Sequence, residues 1–367
     1  MNLLSKNNLF PISVFLLVFF GLAMLSTASA VLGFNKTGDS YFFLKRQIIN
    51  GLIPGILFFF IASRFPYYKL KKLVLPIIML AIFFLFLIFI PQFGIETKGA
   101  ARWIDFWGFS FQPSEILKLS FVLYLAALFE AKKDNVSSLK EGFAPFLVLI
   151  TIITALLISQ PDLGTLSVII STALAVYFIA GAKKTHILAA ILIGLFSVAA
   201  FVYFHGYGME RIQVYLNPES DRLGAGYQLN TALATISSGG FKGLGYGQSQ
   251  QKSGIYLPEP MGDSIFAIVA EELGFIGISA TIFLFALFGW QGLRIAKLCP
   301  DLFGSLVAAG ITFWVLIQAF INIGAMTAIL PLTGLPLPFM SYGGTSMAIL
   351  LTACGILYNI QRTTSDI

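Results

Sequence analysis

Charge is what this chain has least of. Asp, Glu, Lys and Arg make up 11% of its 367 residues, against roughly a quarter in a soluble domain, and that shortage excludes a water-soluble globular fold. Cysteine is almost absent. Cys299 lies at the edge of one apolar run and Cys354 inside another, so the pair supplies neither a disulfide framework nor a metal site. The two histidines, His186 at an inner boundary and His205 near the outer loops, offer no His-based metal site either. No internal repeat is visible, and the inverted-repeat signature of many secondary transporters is missing. What is plentiful is apolar surface: 57% hydrophobic residues, 37 of them Phe, and a mean hydropathy of +0.86. The class is an all-α polytopic membrane protein. Its net charge of +6 would suggest nucleic acid in a soluble chain, but in a membrane protein Lys and Arg gather in the loops that stay cytoplasmic, so no nucleic-acid partner is expected.

Apolar runs predict about ten transmembrane helices, near Phe10–Leu32, Ile48–Ala62, Leu73–Phe93, Ile116–Phe129, Phe143–Ser159, Leu166–Ile179, Ile187–Phe204, Ser264–Trp290, Leu302–Ile323 and Ser346–Tyr358. The first run contains Ala28-Ser29-Ala30, a small-residue pattern that also suits signal-peptide cleavage. Its length, enough to cross a bilayer, favours a transmembrane helix. Ten spans put both termini on one side. With the N-terminus inside, the inner loops and termini hold 13 of the 23 Lys and Arg and the outer ones 10, four of these in the long interval His205–Gly262. Short-loop charge therefore places both termini in the cytoplasm. The chain reads as a single integral membrane domain, 1–367, with 205–263 a long extracytoplasmic loop before the eighth span.

Polar residues on the outer side form compact motifs. Asp263 ends the long loop directly before an apolar run; Asp suits a helix N-cap, and a carboxylate there also suits a general base. Glu115 and Lys118 are three apart and share a helix face, which fits a local ion pair. Asp162 sits in a very short turn between two spans, either as a cap or as a functional ionisable group. Glu271 and Glu272 lie eight and nine residues beyond Asp263, about 12 to 13.5 Å along a helix, too deep to share its proton transfer. They read as a buried polar network. The glycines of Ser237–Gly247 lack the strand and βαβ unit of a nucleotide site.

These motifs carry a resemblance. Lys98–Trp103, Gln112-Pro113-Ser114-Glu115 with Lys118, Gln160–Thr165, Gly226-Tyr227-Gln228, Ser238-Gly239-Gly240, Leu257-Pro258-Glu259 with Asp263, Glu271–Phe275 and Pro338–Gly344 resemble, in order, the SEDS family, whose members include FtsW, RodA and SpoVE. The similarity runs from about Tyr41 to Arg362, and Gln251-Lys252 with Tyr256–Pro260 resembles its division branch. Asp263 is followed by Ser264-Ile265-Phe266 where the family usually has Phe-Ile-Phe, a departure that bears on local packing rather than on chemistry. The resemblance implies a peptidoglycan glycosyltransferase that polymerises lipid II at the outer face of the cytoplasmic membrane during division, acting with a class B penicillin-binding protein and other divisome proteins. A lipid II flippase, a scaffold for the transpeptidase and an elongation polymerase are the alternatives. That chemistry needs a base near the attacking hydroxyl and positive charge near the departing diphosphate. Asp263 is the expected base. Arg46, Lys98, Arg102, Lys118 and Lys252 are the expected counter-charges, with Arg211, and Glu115 and Asp162 are expected at the substrate; interfacial snorkelling is the other role open to the cations. A divalent cation, Mg²⁺ or Mn²⁺, between Asp263 and the diphosphate is the one cofactor this chemistry suggests.

Overall fold

The computed structural model describes residues 9–97, 100–106, 109–205, 209–217, 224–252 and 256–365. Helices dominate because backbone groups in a bilayer must be satisfied within their own segment. They are α1 Leu9–Ala28, α2 Ala30–Thr37, α3 Phe42–Gln47, α4 Ile53–Arg64, α5 Leu70–Leu87, α6 Pro113–Ala131, α7 Ala144–Ser159, α8 Leu163–Ile179, α9 Lys184–His205, α10 Met209–Leu216, α11 Ala225–Ser238, α12 Ile265–Leu298, α13 Leu302–Met326 and α14 Gly344–Ser365. Each expected span overlaps these helices, the first running from α1 into α2 and the second beginning in a π turn before α4. Seven helical stretches among the described residues are long and apolar enough to cross a membrane, so length and composition alone do not reproduce the count of ten. The shortfall is instructive at α6, which carries Glu115, Lys118 and Glu130 within its 19 residues.

Two features depart from a purely helical reading. Residues around the Lys98–Trp103 motif form a small antiparallel sheet, β1 Gly94–Thr97, β2 Ala100–Phe106 and β3 Phe109–Phe111, in that order. The long loop also holds α10 and α11, which its glycines and polar residues concealed. Ser29, the centre of the apparent cleavage motif, is fully buried and bonds back to the Leu25 carbonyl at 2.7 Å. Its neighbour Ala28 is equally buried, so α1 is a packed part of the fold.

The chain divides into two compact units, neither of them contiguous in sequence. The first comprises Met1–Pro54, Val202–Trp290 and Gln318–Leu350; the second comprises Gly55–Phe201, Gln291–Ile317 and Leu351–Ile367. In the first, α3 passes into α4 through a π turn at Ile48–Leu52. Pro54 explains the turn, since it has no N–H to donate and its ring crowds the preceding carbonyls.

The most consequential irregularity is in α12. At 34 residues it would extend about 51 Å, well beyond a hydrocarbon core of about 30 Å, and it is broken at Gly274, with φ 63° and ψ −155°. Phe275 and Ile276 there donate their N–H groups to the carbonyls of Gly240 and Phe241, at 2.9 and 3.4 Å. The Glu271 and Glu272 carbonyls accept instead from Leu244 and Gly245, at 2.9 and 3.0 Å. The loop after α11 thus replaces the intrahelical bonds that the break removes. Glycine is required on both sides, because a Cβ at Gly274 would meet Gly243 N at 2.3 Å and one at Gly243 would meet Glu272 O at 2.2 Å.

In the second unit, Tyr67 and the Cys299 thiol donate to Asp301 Oδ2, and Gly304 N–H donates to its Oδ1 at 2.9 Å. Burial pushes the Asp301 carboxyl up, but these hydrogen bonds and nearby Lys71 outweigh it and hold the pKa below the ordinary value.

Two outcomes follow. Gly274→Ala should cost at least about 1–3 kcal/mol from the backbone conformation alone, read as a lower thermal midpoint of the detergent-purified protein; an unchanged midpoint would contradict the swapped bonding. Asp301, with its depressed pKa, stabilises the fold above the unfolded value of about 3.9 and loses that contribution as pH falls through its folded value. The stability gap between wild type and Asp301→Asn should therefore be open at neutral pH and close below about pH 4.

Candidate active site

Asp263 sits two residues before α12, half-buried, at the end of a segment pinned from several directions. Gln228 of α11 donates through Nε2 to Asp263 Oδ2 at 3.3 Å and to Ser264 Oγ at 3.2 Å. Ser264, at the position that departs from the resembling family, therefore adds an acceptor beside the carboxylate. Asn322, fully enclosed in α13, donates through Nδ2 to the backbone carbonyls of Asp263 and Leu335, at 2.8 and 2.7 Å. Ser341 donates to the Gly262 carbonyl at 2.6 Å and accepts the Leu337 N–H at 2.8 Å. Tyr342 donates its N–H to the Met261 carbonyl at 2.8 Å. The irregular Pro-rich segment 331–338 and the turn after it thereby fix the backbone on which Asp263 is carried.

Arg46 belongs to the same unit. It lies exposed on α3, with its guanidinium 5.4 Å from the centre of the Phe42 ring. Its helix is docked by Phe43, edge-on to Tyr342 at 5.3 Å, and by Gln47 Oε1, which accepts the Gly343 N–H at 2.9 Å. Burial raises the Tyr342 phenol's pKa, against the opposing pull of Arg46. Lys252 is largely enclosed and faces Glu272 Oε1 at 3.6 Å. Lys98 lies outside the described residues, as does the side chain of Arg211.

The second unit holds the other expected residues. Pro113 at the first turn of α6 and the extended Gln112 before it start that helix cleanly. Glu115 and Lys118 are each 2% exposed and paired at 2.8 Å, and the Lys118 ammonium lies 5.3 Å from the centre of the Trp314 ring. The i,i+3 ion pair read from the sequence forms, far more deeply than a surface pair. Arg102, on β2, donates to the carbonyls of Gln160 and Pro161 at the end of α7. Asp162 caps α8, accepting the Thr165 N–H at 3.1 Å. Arg102 and Asp162 thus serve opposite ends of one turn: a cation at the negative end of a helix, an anion at the positive start of the next.

Sequence reasoning missed Asn322 and passed over Gln228 and Ser341 as parts of motifs. A lone Asn inside an apolar helix was the available signal, since a polar side chain at membrane depth has a partner to find. Among the described residues no group of three or more His, Cys, Asp or Glu stands ready to hold a metal ion. Mg²⁺ commonly takes only one or two protein carboxylates together with substrate phosphates, and Asp263 fits that smaller demand.

The sequence matches the model of the FtsW/RodA/SpoVE cell cycle proteins over residues 7–366. This chain belongs to that family, the SEDS family. It is 42% identical to stage V sporulation protein E of Bacillus subtilis over 358 residues, covering 98% of this chain and 97% of that one. It is 36% identical over 346 residues to a probable peptidoglycan glycosyltransferase FtsW of a Geobacter species, covering 94% of each. Among solved structures, a chain from a study of how a peptidoglycan synthase complex coordinates polymerization and crosslinking aligns with a TM-score of 0.77 and 27% identity, covering 96% of this chain and 98% of that one. The rod shape determining protein RodA of Thermus thermophilus aligns at 0.70 and 25%, covering 96% and 95%.

Three substitutions test the geometry. Asn322→Ala orphans two carbonyls and should cost about 1–3 kcal/mol for each, measured by thermal unfolding; a loss no larger than that of an exposed Asn would count against the clamp. Lys118→Met alone leaves Glu115 buried and should cost about 3–5 kcal/mol. Adding Glu115→Gln should recover part of it, and a simple sum of the two losses would argue against a coupled pair.

Proposed function

We propose that this chain, a peptidoglycan glycosyltransferase of the SEDS family, polymerises lipid II into glycan strands at the outer face of the cytoplasmic membrane during cell division. The observation that carries the reading is Asp263: a half-buried carboxylate at the mouth of a helix, with a backbone held by Asn322 and a side chain met by Gln228. Such a group can accept the proton of an attacking sugar hydroxyl, and its fixed carrier limits the geometries it can sample. Arg46 is the cation assigned to the diphosphate in the same unit, where a planar guanidinium suits phosphate oxygens. Arg102, Glu115, Lys118 and Asp162 belong to the other unit and are proposed as positioning groups there, Arg102 and Asp162 for the turn after α7 and Glu115 with Lys118 for α6. A bound divalent cation would neutralise diphosphate charge with Asp263 as its protein ligand.

The division branch is supported by relatives named FtsW at 36–38% identity, and by the sporulation protein at 42%. The solved synthase complex, in which polymerization and crosslinking are coordinated, supports a class B penicillin-binding protein as partner; the septum as the site of action follows from the division reading. The lipid tail of the substrate would stay in the bilayer throughout.

The decisive assay is glycan-strand formation from labelled lipid II by the purified chain with its transpeptidase partner. Asp263→Asn, folded and partner-bound, should lose polymerisation by at least about a hundredfold, the usual worth of a general base. Undiminished polymer would remove Asp263 from the chemistry.

A further inference from the structure

Glu271 and Glu272 have no part in the reaction as derived above. They are 1% and 0% exposed, and two adjacent carboxylates at that depth are costly unless donors surround them. The donors come from one short segment and one helix. Glu272 Oε2 accepts the Gly247 N–H at 3.0 Å and the Thr27 hydroxyl at 2.9 Å. Glu272 Oε1 accepts the Ser249 N–H at 3.3 Å and faces Lys252 Nζ at 3.6 Å. Glu271 Oε1 accepts the Gln250 N–H at 3.3 Å, and its Oε2 accepts the Ser249 hydroxyl. Lys252 in turn donates to the Gly247 carbonyl. Next to this cluster lie the four backbone bonds exchanged between residues 240–245 and the break at Gly274.

The consequence is topological. Gly247 is tied to the Glu272 side chain beside the backbone bonds from Leu244 and Gly245 to the Glu271 and Glu272 carbonyls, so the two ends of the stretch that carries Asp263 are joined twice over. Its far side is held by Asn322, Ser341 and Tyr342; its near side is held by the two glutamates. Lys252, expected from sequence at the diphosphate, is directed into this junction.

We propose that Glu271, Glu272 and Lys252 form a latch that fastens residues 247–252, beyond the backbone bonds of 240–245, to the helix following Asp263 and so positions the base. Lys252 then serves the latch rather than the substrate's diphosphate. The inference rests on the reading of Asp263 as the catalytic base, and the three residues are positioning residues that act through it. A stretch held by an additional tie at its ends samples fewer conformations, and a base displaced by as little as about 1 Å loses rate rather than substrate affinity. A Gln at either glutamate presents an NH₂ to backbone N–H donors, which opens the latch with almost no change of volume.

The test uses the full chain with its partner and labelled lipid II, comparing Lys252→Met, Glu272→Gln and the double variant. The latch predicts that each single variant lowers kcat at least about tenfold while KM stays within about twofold. The double variant should be no worse than the poorer single, because both open one device. Raised KM with kcat retained in Lys252→Met, or losses that simply add, would overturn it. Should Glu272→Gln fail to fold, Ser249→Ala removes only one hydroxyl donor and is judged by the same split, with a kcat loss of about twofold or more expected. Amide exchange in the wild-type protein gives an independent reading: Gly247, Ser249 and Gln250 should exchange slowly, and rates like those of an open loop would refute the latch. If Asp263→Asn polymerises normally, the base assignment fails; if it is inactive while Lys252→Met and Glu272→Gln keep wild-type kcat, the latch alone fails.

Discussion

A bilayer offers no hydrogen bonds, so every backbone donor and acceptor inside it has to find its partner within the protein. Regular helix answers that demand along most of this chain. The interest lies where helix stops. At Gly274 four backbone groups of α12 are taken up by the segment 240–245. At the end of α7 the exposed carbonyls are taken by Arg102, while Gln160 reaches the Leu85 carbonyl at the end of α5, at 3.1 Å. In the irregular segment after α13 the Leu335 carbonyl is met by Asn322. Each irregularity is matched by a polar group from a distant part of the sequence, and these matches fix the loops on which the candidate active-site residues sit.

Charge obeys the same constraint more severely. Glu115 and Lys118 neutralise each other at 2% exposure, and Glu272 is matched by Lys252, two backbone N–H groups and the Thr27 hydroxyl. Asp263 differs from them in remaining half-open, as a group must if it is to meet substrate. The enclosed carboxylates therefore read as structural or positioning groups, and the half-open Asp263 is left as the candidate for chemistry.

Part of this was legible in the residues. The 3.6-residue repeat placed Glu115 beside Lys118, and the distance along the helix set Glu271 and Glu272 apart from Asp263 as a buried polar network; the structure shows both the pair and the network. The alternation of apolar runs with Lys/Arg clusters located the helices, and motif order pointed to the family. Other features left no local trace. The helices of the long loop are short and only weakly apolar, and the sheet around Trp103 is made of strands of three to seven residues between apolar runs that read as helix. Asn322 looked like an isolated polar residue because its two acceptors lie 59 and 13 residues away.

The sequence by itself determined that this is a multi-pass membrane protein, where its helices run, which family it belongs to and which carboxylate stands at a helix mouth. Those properties follow from composition, local periodicity and contiguous motifs. Only the tertiary structure decided that Lys252 faces Glu272, that Arg102 closes α7, and that a glycine-rich loop repairs a broken helix. Hydrogen bonds join groups that meet in space, and no local pattern records which distant donor will reach which acceptor once the helices have packed.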